Sequence, residues 1–285
     1  METINAVQSI FGVAPGQPWL LITNLGSDLA YIATLVLYFW LGSPREARTL
    51  GLFFALSAFL NTVLKDSVRE PRPFVQNPAI ASEAAQKTAG GFAFPSGHAM
   101  VTATLWVLMA LQKRSSVLWA VAIVLTLIVG FSRVILGVHY LSDVLVGFLL
   151  GVLLALLGAY LSPALERLNR ESFSSVSRWL PAALLGVGSV FVDEEWGRSL
   201  GLGAGFWLAR ADFEPPQSWP LRLLYAGLGL AVAVALYLAS SAVLPTEFKR
   251  SGIGAFIRYT VLVLLIVEGV PRAFRLRAVA LPSNV

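Results

Sequence analysis

The chain has 285 residues, of which 56% are hydrophobic and only 13% are charged. Soluble domains carry about a quarter charged residues, so this composition excludes an ordinary soluble protein and indicates a polytopic membrane protein. The net charge of +5 does not indicate a nucleic-acid partner, because the basic residues stand in short clusters between apolar runs. The absence of cysteine excludes disulfides and thiol chemistry.

The chain opens with "METINAVQSIFGVAPGQPW", which lacks the basic start of a signal peptide and is typical of a short amphipathic or interfacial segment. Runs apolar enough to cross a hydrocarbon layer of about 30 Å follow it. We predict spans near residues 20–42, 48–66, 97–113, 116–137, 141–162, 179–210, 222–245 and 254–271. The stretch 179–210 is interrupted by "DEEWGR", so we predict two short, glycine-rich helices there. The prediction is an all-α transmembrane helical bundle with a five-span core and about four C-terminal spans.

The distribution of basic residues predicts the orientation of these spans. If the N-terminus lies outside, 12 of the 21 lysines and arginines fall in inner loops or the C-terminal tail, and nine fall in outer segments. Lys65, Arg72 and Arg133 are three of those nine and have a chemical reason to be there. The positive-inside rule therefore favours an outer N-terminus and an inner C-terminus, which places both histidines on the outer face.

The segment "KDSVREPRP", residues 65–73, predicts the first part of an anion site. Lys65 and Arg72 flank a turn that two prolines hold in extended geometry. Cations at both ends of a fixed backbone suit phosphate, and arginine offers a planar fork for bidentate contact. The alternative is a solvated loop whose charges end the preceding helix.

The segment "GFAFPSGHAM", residues 91–100, predicts a helix start beside a histidine. Proline is favoured at the first helical position, and the amides that follow can bind an anion with the helix dipole behind them. Gly97 after Ser96 lets a ligand approach the backbone closely, and His98 lies within reach of that ligand. The alternative is a plain helix start with an interfacial histidine.

The segment "FSRVILGVHYLSDVLVG" holds the second of the two histidines. If a helix restarts near His139, the Asp143 carboxylate lies on the same face, where it can fix the ring tautomer and leave the other nitrogen as a nucleophile. Arg133 adds a third cation. A charged pair beside a membrane span is costly and functional by default, although a structural pair that caps the last helix is the alternative. Together the segments supply the cations, the nucleophile and the proton donor that phosphoryl transfer needs.

In order and spacing these segments resemble the three-part signature of the type 2 phosphatidic acid phosphatases. The matching motifs are Lys65-x6-Arg72-Pro73, Pro95-Ser96-Gly97-His98 and Ser132-Arg133-x5-His139-x3-Asp143. That superfamily includes lipid phosphatases, glucose-6-phosphatase and vanadium-dependent haloperoxidases. The resemblance covers about residues 20–165, so we divide the chain into a catalytic membrane domain, 1–165, and additional C-terminal transmembrane helices, 166–285.

The resemblance implies a role for each matching residue. His139 would attack phosphorus and form a phosphohistidine, Asp143 would orient it, and His98 would protonate the leaving oxygen. The phosphate oxygens would be held by Lys65, Arg72, Ser96, Gly97 and Arg133. The resemblance implies no metal and no other cofactor, and the sequence offers no separate carboxylate–histidine cluster that would demand a metal.

The leading hypothesis is a membrane phosphatase that hydrolyses a lipid phosphate monoester or diphosphate, with the lipid tails left in the bilayer. Phosphatidate, phosphatidylglycerophosphate, a sphingoid phosphate and a polyprenyl diphosphate are the candidate substrates. One alternative is a sugar-phosphate phosphatase of the glucose-6-phosphatase type, whose nine-span layout resembles this one. The other is a non-catalytic phosphate or phospholipid transporter. We expect a cell-membrane protein with its site on the outer, periplasmic or lumenal face.

Overall fold

The computed structural model describes residues 1–12, 16–170 and 175–274. These residues form helices and connecting loops, and the described part of the chain has no β-strand beyond one isolated bridge between Asp193 and Ser251. In chain order the helices are α1 (Glu2–Phe11), α2 (Gln17–Asn24), α3 (Asp28–Leu41), α4 (Pro44–Val68), α5 (Pro73–Gln76), a 3-10 turn (Pro78–Ile80), α6 (Glu83–Lys87), α7 (Gly97–Lys113), α8 (Ser116–Ile135), α9 (Leu141–Arg170), α10 (Ser175–Ser189), α11 (Glu194–Leu208), α12 (Trp219–Val243), α13 (Thr246–Arg250), α14 (Gly252–Leu264), a π-helical turn (Leu265–Gly269) and α15 (Val270–Ala273). The prediction of an all-α fold is confirmed.

Membrane-length helices occur where apolar runs predict them. By length and composition five stretches could cross a membrane, namely Pro44–Gln76, Ser116–Ile135, Leu141–Asn169, Trp219–Val243 and Gly252–Ala273. The pair α2 and α3, bent by 43° at its break, is a sixth if it counts as one span. Helices α7, α10 and α11 are shorter, at 17, 15 and 15 residues. The chain is a multi-pass membrane protein, and the count of nine crossings stays a prediction. Arg275 and Arg277, two of the basic residues that the charge distribution predicts to lie inside, are outside the described residues.

One compact unit of the chain comprises Met1–Tyr31 and Ser57–Ala159. Its helices α7 and α9 approach closely because α9 presents glycines to α7. A Cβ atom at Gly147 would lie 2.8 Å from the Ser96 carbonyl oxygen, and one at Gly151 would collide with the Met100 carbonyl oxygen. Small residues four apart permit such backbone contact in a membrane, where burial against lipid gives little driving force for helix association. This packing brings the first turn of α9 to the start of α7, where the Ser96 amide donates to the Asp143 carbonyl at 3.0 Å.

The other compact unit comprises the described residues of Ile32–Leu56 and Tyr160–Val285. Here α11 packs on α14 through glycines at every fourth position of α11. A Cβ atom at Gly201 would lie 2.5 Å from the Phe256 carbonyl oxygen, and one at Gly205 would lie 2.6 Å from Cβ of Val263. The glycine-rich composition of 179–210 therefore serves helix packing, and the predicted pair of short helices is confirmed as α10 and α11. The predicted functional division at residue 165 stays a prediction.

Candidate active site

All of the sequence-predicted site residues lie in the unit formed by Met1–Tyr31 and Ser57–Ala159. Each stands at the end of a helix or in the turn beside one, so the site is built where several helices begin or stop. They are Lys65 in the last turn of α4, Arg72 just before α5, Ser96 at the N-cap of α7, Gly97 and His98 in its first turn, Arg133 in the last turn of α8, His139 in the turn before α9 and Asp143 in its first turn.

His139 is fixed between a carboxylate and a guanidinium. Its Nδ1 lies 3.1 Å from Oδ2 of Asp143, and its Nε2 lies 3.0 Å from Nη1 of Arg72. Arginine can only donate, so Nε2 is the acceptor and the ring proton sits on Nδ1. The same Asp143 oxygen also accepts the Tyr140 amide at 2.9 Å, which orients the carboxylate toward the ring. This arrangement leaves the lone pair of Nε2 directed away from Asp143.

The environment of His139 keeps the ring neutral. Burial lowers the pKa of His139 well below 6.5, and the positive charges of Arg72, Arg133 and Lys65 lower it further. The side chain is 2% exposed, so solvent offers little compensation for a charged ring. A neutral imidazole with Nδ1 protonated is the form that can act as a nucleophile through Nε2.

Arg72 and Lys65 are held by backbone carbonyls of the loop that precedes α7 and, for Arg72, also of the turn that precedes α9. Arg72 donates from Nε to the Gly91 carbonyl at 2.9 Å, from Nη1 to the Val138 carbonyl at 2.9 Å and from Nη2 to the Gly90 carbonyl. Lys65 donates to the Phe92 carbonyl. Both cations are therefore buried and anchored by backbone oxygens, which holds their charge beside His139.

Arg133 is the most deeply buried of the three cations, at 0% exposure. Its Nη1 donates to Oγ1 of Thr23 at 2.6 Å and to Oγ1 of Thr88 at 2.9 Å, and its Nη2 donates to the Thr88 carbonyl at 3.0 Å. Its Nε is buried without a hydrogen-bond partner among the described residues. A buried donor without a partner is costly, so this nitrogen is available to an anion.

The PSGH segment forms the start of α7. The sequence predicts Pro95 at the first position of this helix, but Pro95 lies before it. The helix begins at Gly97, because Ser96 takes the N-cap and its Oγ accepts the Ala99 amide at 3.5 Å. Gly97 is required by packing as well as by any ligand, since a Cβ atom there would lie 2.9 Å from Oδ1 of Asn61. The Phe94–Pro95 peptide bond is cis.

Asn61 of α4 donates from Nδ2 to the Pro95 carbonyl at 3.1 Å and so ties α4 to the turn that precedes α7. His98 is half-buried, and the charges of Arg133, Arg72 and Lys65 act on it as they do on His139. The structure thus brings both histidines into the field of the same three cations.

Two residues that contact Arg133 were missed by sequence reasoning, and so was a buried polar contact between α1 and the end of α8. Thr23 and Thr88 bind Arg133, while Gln8 of α1 donates from Nε2 to the Ile80 carbonyl at 2.7 Å and to the Ile135 carbonyl at 3.0 Å. A threonine or glutamine in a short amphipathic or apolar run carries no sequence signal of such a contact. The one available hint was Gln8 itself, a polar residue on the same α1 face as the buried Ile4.

The described residues hold no group of three or more histidine, aspartate or glutamate side chains that could bind a metal ion. The donor set of the site is instead cationic, with Lys65, Arg72 and Arg133 around the two histidines. Such a set suits an anion with several oxygens.

The fold is that of a multi-pass membrane protein, and it contains a buried, cation-rich cluster around two histidines. Comparison of the chain with models of known protein families agrees with a membrane protein of this kind. The model of the PAP2 superfamily matches residues 46–167, and that of the PAP2 superfamily phosphatase transmembrane extension matches residues 195–280. The chain belongs to the PAP2 superfamily and is a phosphatase of that family.

Individual relatives differ in how much of the chain they share. Phosphatidylglycerophosphatase B of Bacillus subtilis is 31% identical over 59% of this chain and 90% of its own length. Lipid phosphate phosphatase delta of Arabidopsis thaliana is 33% identical over 46% of this chain, but over only 34% of its own length. Glucose-6-phosphatase 3 of Bos taurus is 26% identical over 86% of this chain and 76% of its own length.

Among solved structures, the crystal structure of a transmembrane PAP2-type phosphatidylglycerolphosphate phosphatase from Bacillus subtilis is also similar. It is 30% identical, with a TM-score of 0.45 over 57% of this chain and 86% of that chain.

Proposed function

We propose that the protein hydrolyses the phosphate ester or diphosphate of a membrane lipid through a covalent phosphohistidine at His139. The observation that carries this proposal is the fixed tautomer, in which Nδ1–H donates to Asp143 and Nε2 keeps its lone pair. A nucleophile beside an orienting carboxylate is the arrangement that covalent catalysis needs.

In the first step the Nε2 lone pair of His139 forms a bond to phosphorus. The bond between phosphorus and the leaving oxygen breaks, and its electron pair stays on that oxygen. His98 takes up a proton when the negative phosphate offsets the charge of the surrounding cations, and it supplies that proton to the leaving oxygen, which completes the alcohol or, from a diphosphate, the lipid phosphate. The positive charge that develops on the His139 ring is offset by the Asp143 carboxylate. The equatorial phosphate oxygens are stabilised by Lys65, Arg72 and Arg133, with the Ser96 side chain and the Gly97 amide as further donors.

In the second step a water attacks phosphorus on the face that the alcohol has left. His98, now neutral, takes the water proton while the phosphorus–nitrogen bond breaks and its electron pair returns to His139. Phosphate then leaves. A phosphate that docks on Nε2 displaces the contact of that atom with Arg72, so the guanidinium exchanges a nitrogen acceptor for phosphate oxygens.

The membrane setting supports a lipid substrate. The signature residues stand at helix ends within a bundle of membrane-length helices, so a headgroup can enter while its acyl or prenyl chain stays in the bilayer. Two relatives whose names state lipid phosphates, one from Bacillus subtilis and one from Arabidopsis thaliana, are similar to 59% and 46% of the chain. We place the site at the outer face of the cell membrane, from the charge bias of the loops.

A sugar phosphate is the second candidate substrate. The relative named glucose-6-phosphatase 3 aligns over 86% of this chain and therefore includes the C-terminal helices as well as the signature. A soluble phosphate ester is the substrate that this likeness favours.

The test is phosphate release by detergent-purified protein in excess chelator. The substrates are phosphatidylglycerophosphate, phosphatidate, a sphingoid phosphate, a polyprenyl diphosphate and glucose-6-phosphate. Metal-independent release from a lipid, abolished in His139→Ala, is the expected result. Preference for glucose-6-phosphate would favour the second candidate, and a folded protein that releases phosphate from none of them would favour transport or binding.

A further inference from the structure

Two threonine hydroxyls hold the guanidinium of Arg133, and both lie outside the three signature segments. Nη1 of Arg133 lies 2.6 Å from Oγ1 of Thr23 and 2.9 Å from Oγ1 of Thr88. Both distances are typical of strong, charge-assisted hydrogen bonds. One amino group of the guanidinium is therefore shared between two hydroxyl oxygens from distant parts of the chain.

The hydroxyl of Thr88 can act only as an acceptor toward Arg133. It donates its own proton to the Ala85 carbonyl at 2.7 Å, so its lone pairs are left for the guanidinium. The Thr88 carbonyl accepts from Nη2 at 3.0 Å. The hydroxyl and the carbonyl of Thr88 therefore bind both amino groups of Arg133. Thr88 ends α6 and is held in place by that helix.

Thr23 brings a separate element to the site, because it lies in the last turn of α2, the first half of the broken span. It is completely buried. Three residues later the break itself lies against His98, since a Cβ atom at Gly26 would be 2.8 Å from Cδ2 of that histidine. Beyond the break, the Tyr31 hydroxyl lies 3.2 Å from Oγ1 of Thr102 and 3.4 Å from the His98 carbonyl oxygen.

We propose that Thr23 and Thr88 are positioning residues for phosphate binding, which orient Arg133 so that its Nε faces the phosphate. Helix α2 and the break that follows it are thereby part of the active site. The inference rests on the proposed function in that Arg133 is taken to bind phosphate. Arginine has many rotamers, and fixing one of its amino groups from two sides removes most of that freedom before the anion arrives.

A purely structural role makes a different prediction. If the two hydroxyls only satisfy a buried cation, their loss lowers the stability of the protein and leaves the affinity for phosphate unchanged. If the two hydroxyls orient the Arg133 guanidinium toward phosphate, loss of one hydroxyl weakens phosphate binding by roughly 10- to 30-fold. This is the effect of one charge-assisted hydrogen bond. The affinity for the anion separates the two roles.

The chain offers a matched control in Thr126. It lies on α8, the helix that carries Arg133, and its hydroxyl is buried without a hydrogen-bond partner among the described residues. Thr126→Val makes the same chemical change as Thr23→Val but removes no bond. Thr23→Ser restores the hydroxyl without the methyl group and serves as the rescue.

The experiment measures how far inorganic phosphate raises the melting temperature of the purified full-length protein, beside KM and kcat for its preferred substrate. In Thr23→Val we expect the phosphate concentration for half-maximal stabilisation and KM to rise by roughly 10-fold or more, with kcat changed less. Thr23→Ser and Thr126→Val should stay within about threefold of wild type.

Wild-type affinity for phosphate in Thr23→Val, or an equal loss in Thr126→Val, would overturn the inference. If Thr23→Val does not fold, Thr88→Val tests the same claim, because its carbonyl still binds Nη2 while its hydroxyl is lost. The melting shift requires no turnover. A wild-type protein that binds phosphate but releases none from any substrate would therefore contradict the proposed function and leave this inference standing.

Discussion

Replacing Asp143 by asparagine removes the negative charge beside His139 and keeps a side chain of almost the same shape. The oxygen of the new side chain can still accept from the Tyr140 amide and from Nδ1 of His139, as Oδ2 does at 2.9 and 3.1 Å in the native site. The ring tautomer is then preserved, and the change removes chiefly the negative charge. That charge matters when the ring becomes positive as Nε2 bonds to phosphorus.

The size of the effect follows from the distance between the two groups. Opposite unit charges about 4 Å apart attract by about 4 kcal/mol at an effective dielectric constant of 20. Part of this is recovered by the dipole of the new amide, and each 1.4 kcal/mol is about a factor of ten in rate. We therefore expect Asp143→Asn to lower kcat about 100- to 1,000-fold with little change in KM, since the lost interaction exists mainly in the transition state.

The assay is release of inorganic phosphate by detergent-solubilised protein over a range of substrate concentrations. Asp66→Asn is the matched control, because it removes an exposed carboxylate next to Lys65 in sequence. A value of kcat within about threefold of wild type, or an effect confined to KM, would refute the role assigned to the Asp143 charge.

Two further predictions concern the protonation of the site and the packing of the C-terminal helices. Because burial and neighbouring cations lower the pKa of His139 well below 6.5, the neutral nucleophile persists above that lowered pKa and is lost only as pH falls through it. NMR titration of labelled His98→Gln, which leaves a single histidine, should show no protonation of His139 down to pH 6.5, and a midpoint at or above 6.5 would contradict this reasoning. Gly201→Ala should lower the free energy of unfolding by about 1–3 kcal/mol, since its Cβ would lie 2.5 Å from the Phe256 carbonyl oxygen. Thermal melts in detergent test this against Gly203→Ala, whose Cβ meets nothing closer than 3.9 Å; equal melting temperatures would rule out the packing role.

The helices and the chemical groups of the site could be predicted from the sequence, for different reasons. A span must be apolar throughout its length, so the positions of α4, α8, α9, α12 and α14 are evident from hydropathy. The histidines and cations stand out because charged groups are rare in a membrane protein. The pairing of His139 with Asp143 could be predicted because the two are four residues apart at a helix start.

What the sequence could not give is contact between distant segments. Thr23 and Arg133 are separated by 110 residues, and Thr88 and Arg133 by 45. Threonine is common in transmembrane helices, so nothing local marks these two. The preference of proline for the first turn predicts that α7 starts at Pro95, but Ser96 is the better N-cap and the helix begins after it.

The most direct test of the account is to trap the covalent intermediate on His139. Wild-type protein and His98→Ala would be mixed with a lipid phosphate labelled at phosphorus, quenched in alkali, which preserves phosphorus–nitrogen bonds, and analysed by mass spectrometry of the peptide that contains His139. We predict labelled His139 in both proteins and none in His139→Ala. In His98→Ala the label should form and decay more slowly, because both the proton donor and the group that activates water are lost. Turnover of the labelled lipid without label on His139 in either protein, or label on any other residue, would contradict the account.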